Sequence, residues 1–435
     1  MTNEAPPSGE VSQVVEHLFR HESGKMVATL TRIFGLDHLT LVEDVVQEAL
    51  AKALQTWPFY GVPQNPSAWI MRASRNLALD VVRREKVFHD KEDAIIHLMK
   101  GGRPGTDAPI FAAEEIEDDR LRMMFICCHP LVPAEARVAL TLKTLCGFSV
   151  AEISRAFLTT EAATAKQLTR AKQKIREERI PFEIPAGADL TRRLESVLQS
   201  LYLLFNEGYK ASSGDRLVRE DICHEAIYMT HLLAEHPATR QPRTHALLAL
   251  MLLNSARLSA RVDGEGNLLL LQDQDRAQWD RQMITRGIRH FAQSARGDEI
   301  TEYHVQAGIA ACHCAAQDYA STDWRQILSY YDRLVEFDDS PVVALNRAVA
   351  VANVRGPAAG LEAVAAIPGA GKLKDYHLYY AVLGELESRL EHHDAAAGHF
   401  RKALELAALK SERAFLEGKL KACRGSKSLT EKLNG

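Results

Sequence analysis

The chain has 435 residues and a formal net charge of −4. That length allows roughly two to four domains, and that charge excludes binding nucleic acid through the molecule's overall field, so any such contact has to be local, on one basic face. Apolar residues make up 46% and charged residues 25%, the balance of an ordinary globular protein, and no apolar run reaches the length of about eighteen residues that a membrane-spanning helix needs.

The opening residues, MTNEAPPSGE, lack the basic and apolar segments of a signal peptide, so the expected location is the cytoplasm. Seven cysteines without disulfide-like spacing read as buried thiols. Cys127-Cys128-His129 and Cys312-His313-Cys314 have no second matching ligand pair and suit zinc poorly; no metal and no cofactor is expected. Strand-like alternation is rare, while Ala, Leu, Glu, Arg and Gln dominate, so the fold class is all-α.

Residues 1–9 read as a disordered tail, followed by a helical domain over 10–87. Within it, Leu41 to Leu54 places Val42, Val45, Val46, Ala49, Leu50 and Ala53 on one side and Asp44, Gln47, Glu48 and Lys52 on the other, an amphipathic helix. Taken alone, it reads first as a plain solvated face. Trp57 to Pro66 carries aromatics and three prolines, which predicts a loop rather than a continuous helix. The next helix, Ser67 to Glu85, is expected to turn Trp69, Ala73, Leu77 and Val81 inward. Arg72, Arg75, Asn76, Arg83 and Arg84 then lie on or beside its polar side. A basic helix after an aromatic loop suits phosphates and a stacked, unpaired base; a Trp-anchored core helix with solvated arginines fits the same residues.

Residues 88–118 read as an acidic, flexible linker, with Gly101-Gly102-Arg103-Pro104-Gly105 breaking structure and an acid run from Glu114 to Asp119. A second helical domain is expected over 119–180. Met123 to Ile126 read as core. Pro133 suits the start of a helix carrying Ala139, Leu140, Leu142 and Leu145, and Gly147 ends it. Ser149-Val150-Ala151-Glu152 then fits a capping box. A short helix to about Phe157, a turn at Leu158-Thr159-Thr160 and a second helix follow. Thr164, Leu168, Ala171 and Ile175 give that second helix an inward face, and Lys166, Gln167, Arg170 and Lys174 lie on the other side. This is the pattern of a helix-turn-helix; an ordinary helical hairpin with a solvated face is the alternative.

Three of these segments together resemble a known family. Asp44-Val45-Val46-Gln47-Glu48-Ala49-Leu50 resembles the core-polymerase-binding signature of bacterial sigma factors. Pro66-x-x-Trp69-Ile70, Asn76, Asp80 and Arg83-Arg84 resemble their −10 segment, and the helix-turn-helix resembles their −35-reading domain. Order and spacing across residues 10–180 are those of the compact extracytoplasmic-function (ECF) type of the sigma-70 family. The chain departs from the usual pattern at Ala73-Ser74, Ala163 and Ala165, so no promoter sequence carries over. The resemblance implies two helical sigma domains. It also implies core RNA polymerase bound through Asp44, Val45, Gln47, Glu48 and Leu50, and promoter DNA bound through Trp69, Arg72, Asn76, Arg83 and Arg84 at −10 and Lys166, Gln167, Arg170 and Lys174 at −35.

More than half of the chain lies beyond the hinge at 181–189, where Pro181 and Pro185 sit. A helical extension is expected over 190–320. It includes a helix from Leu190 capped at Gly208, an apolar helix from His245 to Arg261, a simple turn at Asp263-Gly264-Glu265-Gly266-Asn267, and a helix start capped by Asp273 or Asp275. Residues 321–435 carry a repeat. Tyr380, Leu383, Gly384, Ala396, Phe400 and Ala403 fit the tetratricopeptide (TPR) offsets, and Ala348, Gly360 and Val364 fall at looser equivalents. Such pairs stack into a solenoid with a concave, partner-binding surface. Whole-chain resemblance is to ECF factors with a C-terminal TPR-like extension, which implies that the extension controls the sigma domains; the short hinge at Ile180–Pro185 predicts that it contacts them. A helix-turn-helix regulator with a helical sensor and no polymerase docking is the second reading. No nucleophile–base pair, phosphate loop or ligand cluster stands at credible spacing, so no enzyme is expected.

Overall fold

The computed structural model describes residues 8–84, 113–157, 159–209, 219–261, 263, 269–408 and 410–433. The linker over 88–112, the tail up to residue 7 and most of the turn at 263–267 lie outside the described residues. Nineteen α-helices and no strand occur among the described residues. They form two compact units, Met1–Leu203 and Leu204–Gly435.

The first unit begins with α1 (Ser8–His21), α2 (Ser23–Phe34), α3 (Leu39–Tyr60) and α4 (Pro66–Arg84). Helix α2 is apolar nearly all round, with Met26, Val27, Ala28, Leu30, Ile33 and Phe34 all buried, as an element enclosed by neighbours must be. The three prolines near residue 60 break the chain later than expected. Helix α3 runs through Pro58 and stops at Gly61, whose φ of 81° no other residue adopts easily. Pro58, in the last turn, removes the N–H that would bond the Leu54 carbonyl, and the helix ends within two residues of it.

Helix α4 also differs in phase from the sequence expectation. Its buried residues are Ile70, Met71, Ser74, Ala78 and Val82, whereas Trp69, Ala73, Leu77 and Val81 are only half-buried. The polar member of that inner face is accommodated because the Ser74 hydroxyl donates to Ile70 O at 2.9 Å.

Helices α5 (Ala113–Cys127), α6 (Ala134–Leu145), α7 (Val150–Ala156) and α8 (Glu161–Glu177) follow. Asp119, expected at the end of a solvated acid run, is instead buried within α5. Helix α9 (Gly187–Tyr209) contains the division between the units at Leu203. The part up to Leu203 belongs to the first unit. There Arg193 donates to Phe125 O at 3.1 Å and the Ser196 hydroxyl donates to Cys128 O, so both satisfy carbonyls at the end of α5. Gly208 is not a cap. It lies inside α9, where a Cβ would come within 2.8 Å of Cys223 N.

The second unit continues with α10 (Glu220–Glu235), α11 (Pro242–Ser255), α12 (Arg281–Ser294) and α13 (Glu302–Ala315). Helix α11 ends six residues earlier than its sequence pattern suggests, and almost its entire length is buried. Then come α14 (Trp324–Phe337), α15 (Pro341–Arg355), α16 (Pro357–Ala365), α17 (His377–Arg389), α18 (His393–Leu406) and α19 (Lys410–Leu433). Successive members pack against one another. Two small residues of the repeat pattern sit at close contacts between helices. A Cβ on Gly384 would stand 2.8 Å from the Phe400 ring, and one on Gly360 2.5 Å from Ala352 Cβ.

Candidate nucleic-acid interface

The helix-turn-helix is built by local chemistry. Ser149 Oγ accepts the Glu152 N–H, and the Glu152 carboxylate accepts the Ser149 N–H at 2.8 Å, a complete capping box at the start of α7. Thr160 caps α8 by accepting the Ala163 N–H at 3.1 Å. Thr164, Leu168, Ala171 and Ile175 are the buried residues of α8. Lys166 and Arg170 are exposed, Gln167 and Lys174 half-exposed. Lys174 pairs with Glu178 one turn on. The cationic flank of α8 is therefore presented on a rigid, doubly capped pair of helices.

On α4, Arg72, Asn76 and Arg83 are exposed, and Arg84 belongs to the helix although its side chain lies outside the described residues. Arg75 is half-buried, and burial, then the neighbouring Arg72 charge, lowers its pKa from the usual guanidinium value. Trp57, expected in the loop, is 2% exposed. Its ring meets Trp69 edge-on with centroids 5.4 Å apart, so Trp69 is held by Trp57 with part of its surface open. The freely available rings are Phe59 and Tyr60, at 79% and 86% exposed. Sequence alone did not separate them from Trp57, because only the end of α3 decides which aromatic points inward.

On α3, Asp44, Gln47 and Glu48 are exposed, while Val45 and Leu50 are buried. The structure thus brings three of these five residues to the surface and places two beneath it. A groove of about 490 Å³ lies beside them, lined by Gln47, Leu50 and Leu54 of α3, Phe19 of α1, and Lys143 and Val150 from the second bundle.

In the second unit, a cavity of about 740 Å³ opens among α13 to α19, walled by Tyr319, Trp324, Tyr331, Tyr376 and Phe415 with Asn353 and Arg389 among its polar groups. Cys312-His313-Cys314 gathers no ligand set. Burial, then Arg257 and Arg276, lowers the His313 pKa to about 3, and no group of His, Cys, Asp and Glu fit to hold a metal occurs among the described residues. No described helix is long and apolar enough to cross a membrane.

Comparison with known proteins places names on these segments. Residues 18–87 match the family model for Sigma-70 region 2, residues 122–175 that for Sigma-70, region 4, and residues 193–295 a family of unknown function, DUF6596. An uncharacterised protein of Rhizobium meliloti (strain 1021) is 38% identical over 393 residues, 88% of this chain and 90% of that protein. No solved structure matches.

Proposed function

This chain belongs to the sigma-70 family, as an ECF-type factor for transcription initiation with a C-terminal extension, and from that premise we propose how its parts divide the work. Helix α3 docks on core RNA polymerase through Asp44, Gln47 and Glu48, with Val45 and Leu50 fixing the helix from below. Helix α4 holds the opened −10 strand. Arg72, Arg83 and Arg84 meet phosphates and Asn76 meets a base edge, while Trp69, Phe59 and Tyr60 offer rings for an unstacked base. Helix α8 enters the −35 major groove with Lys166, Gln167, Arg170 and Lys174. The observation that carries this reading is the doubly capped helix-turn-helix. Its second helix buries Thr164, Leu168, Ala171 and Ile175 and leaves a cationic flank outward, on a chain that also carries the docking helix.

The extension governs this activity through contact with the sigma domains, and its TPR-like helical pairs receive a protein partner. The aromatic cavity of about 740 Å³ is of a size that takes side chains of such a partner. Association with core polymerase separates this account from a helix-turn-helix regulator that acts without polymerase. Reversing charge at both Asp44 and Glu48 to Arg should abolish co-elution with core enzyme while leaving the helical content unchanged. Co-elution at the wild-type level would favour the regulator.

A further inference from the structure

Within the first unit, the α1–α4 bundle and the α5–α8 bundle are closed on each other. Gly24 on α2 lies so near α6 that a Cβ there would stand 2.1 Å from Leu145 O, and a Cβ on Gly147 would stand 2.4 Å from Phe19 O. Both backbones meet only because glycine occupies these positions. Arg32 of α2 donates to Asp119 of α5 at 2.9 Å, and Arg122 donates to the same carboxylate at 2.9 Å. Glu43 completes the contact. It precedes Asp44 on α3, and its side chain is 7% exposed. One carboxylate oxygen accepts the Thr144 hydroxyl at 2.9 Å, and the other pairs with Lys172 Nζ of α8.

We propose that Glu43 is the catch of an interdomain latch, which holds the two sigma domains in a resting form that must open before both promoter elements are engaged. This rests on the assignment of α3, α4 and α8 made above. Elements numbered −10 and −35 lie about 25 base pairs apart, or roughly 85 Å at 3.4 Å per base pair. Helix α3 has 22 residues and α8 has 17, hence lengths of roughly 33 and 26 Å. Two helices of that length joined at Glu43–Lys172, with α4 packed on α3, do not span that separation.

The latch leaves the reading flank of α8 open. Lys172 is two residues from Arg170, so the two point roughly 160° apart around the axis. It also narrows access to α3, since Lys143 and Val150 wall the groove that Gln47 lines. Its chemistry suits release. A carboxylate and an ammonium return to water readily, so the pair fixes the closed arrangement more than it adds net stability. Opening bares a second face of the apolar helix α2, which a bound partner then has to cover. Release and binding are therefore linked, and the apparent affinity for polymerase is lowered by the closed fraction.

The test uses the full chain in three forms: wild type, Glu43→Gln, and Lys172→Met, which keeps an apolar stem in place. Hydrogen exchange is measured without polymerase or DNA. Transcription is then measured with core enzyme on fragmented genomic DNA, with 5′ ends mapped and the sigma protein limiting. Both variants should exchange faster over Ser23–Phe34 and Thr141–Phe148 and should raise promoter-dependent transcripts several-fold. Unchanged exchange in both variants overturns the latch, whatever the protein does with polymerase. Faster exchange without a rise in transcripts reduces the contact to packing and overturns it as well. If no form, wild type included, yields promoter-dependent transcripts, the initiation reading itself fails and the gating role falls with it, even where exchange behaves as expected.

Discussion

Single residues decide how firmly helices are held in both units. Ser149 supplies one half of the capping box ahead of α7 and Glu152 the other. Ser149→Ala should cost about 1 kcal/mol and lower the melting temperature without altering helical content above background. Arg276 illustrates a residue whose work is remote. It donates to His313 O at 2.6 Å and Ala316 O at 2.8 Å, satisfying carbonyls at the end of α13, and its guanidinium lies 4.7 Å over the Trp279 ring. Asp275 beside it caps a short 3₁₀ turn by accepting the Ala277 N–H. Arg276→Gln should destabilise the fold by about 2 kcal/mol, read by denaturant unfolding. His290 is a third case. It stacks on His245 with centroids 5.3 Å apart, and burial, with His245 and His231 nearby, lowers its pKa to about 4. The unfolded chain takes up that proton at about 6.5 and the folded chain refuses it. Stability is then unaffected above pH 6.5 and declines as the pH falls from there towards 4. Melting temperatures at pH 7.5 and pH 5 should show this decline, and His290→Gln should make it shallower.

At the level of helices, what was legible followed from local chemistry. The capping signals at Ser149 and Thr160 and the spacing of Thr164, Leu168, Ala171 and Ile175 act within a few residues, and each appears in α7 and α8 as the pattern implies. Helix α4 was legible as a helix but not in phase, because apolar residues occur on both candidate faces and only packing selects Ile70, Ser74 and Ala78. Glu43 was legible only as a residue at the edge of the apolar face, three and seven residues before Val46 and Leu50. Its partners Thr144 and Lys172 are 101 and 129 residues away, and no local pattern names them. The outer flank of α8 makes its own prediction. Lys166→Ala and Arg170→Ala should each weaken promoter binding, and any lysine or arginine that meets phosphate should reduce the salt slope by about one when removed. A substitution that instead relaxes sequence preference marks a base contact. Binding measured across a salt series on matched and mismatched −35 sequences separates the two.

For the whole molecule, the boundary between units matters more than the proline hinge that precedes it. The hinge at 181–189 suggests cutting after Pro185, yet Arg193 and Ser196 still serve α5, and the first compact unit ends at Leu203. Removing everything after Leu203 keeps those contacts and should leave the sigma domains folded, with transcription output changed in one direction or the other. Equal output from the truncated and full chains would rule out control by the extension. The helical character of the last hundred residues was legible, and Gly360 and Gly384 do lie where a Cβ would meet a neighbouring helix; the occupant of the aromatic cavity was not, because no residue pattern in a groove names its partner. The most direct measurement of the central claim is transcription by core RNA polymerase on fragmented genomic DNA, with and without the purified chain, with 5′ ends mapped. The account predicts new start sites that appear only with the chain, share −10 and −35 elements, and disappear with the Asp44→Arg, Glu48→Arg double variant and with the Lys166→Ala, Arg170→Ala double variant. Start sites that are unchanged by adding the chain would contradict it.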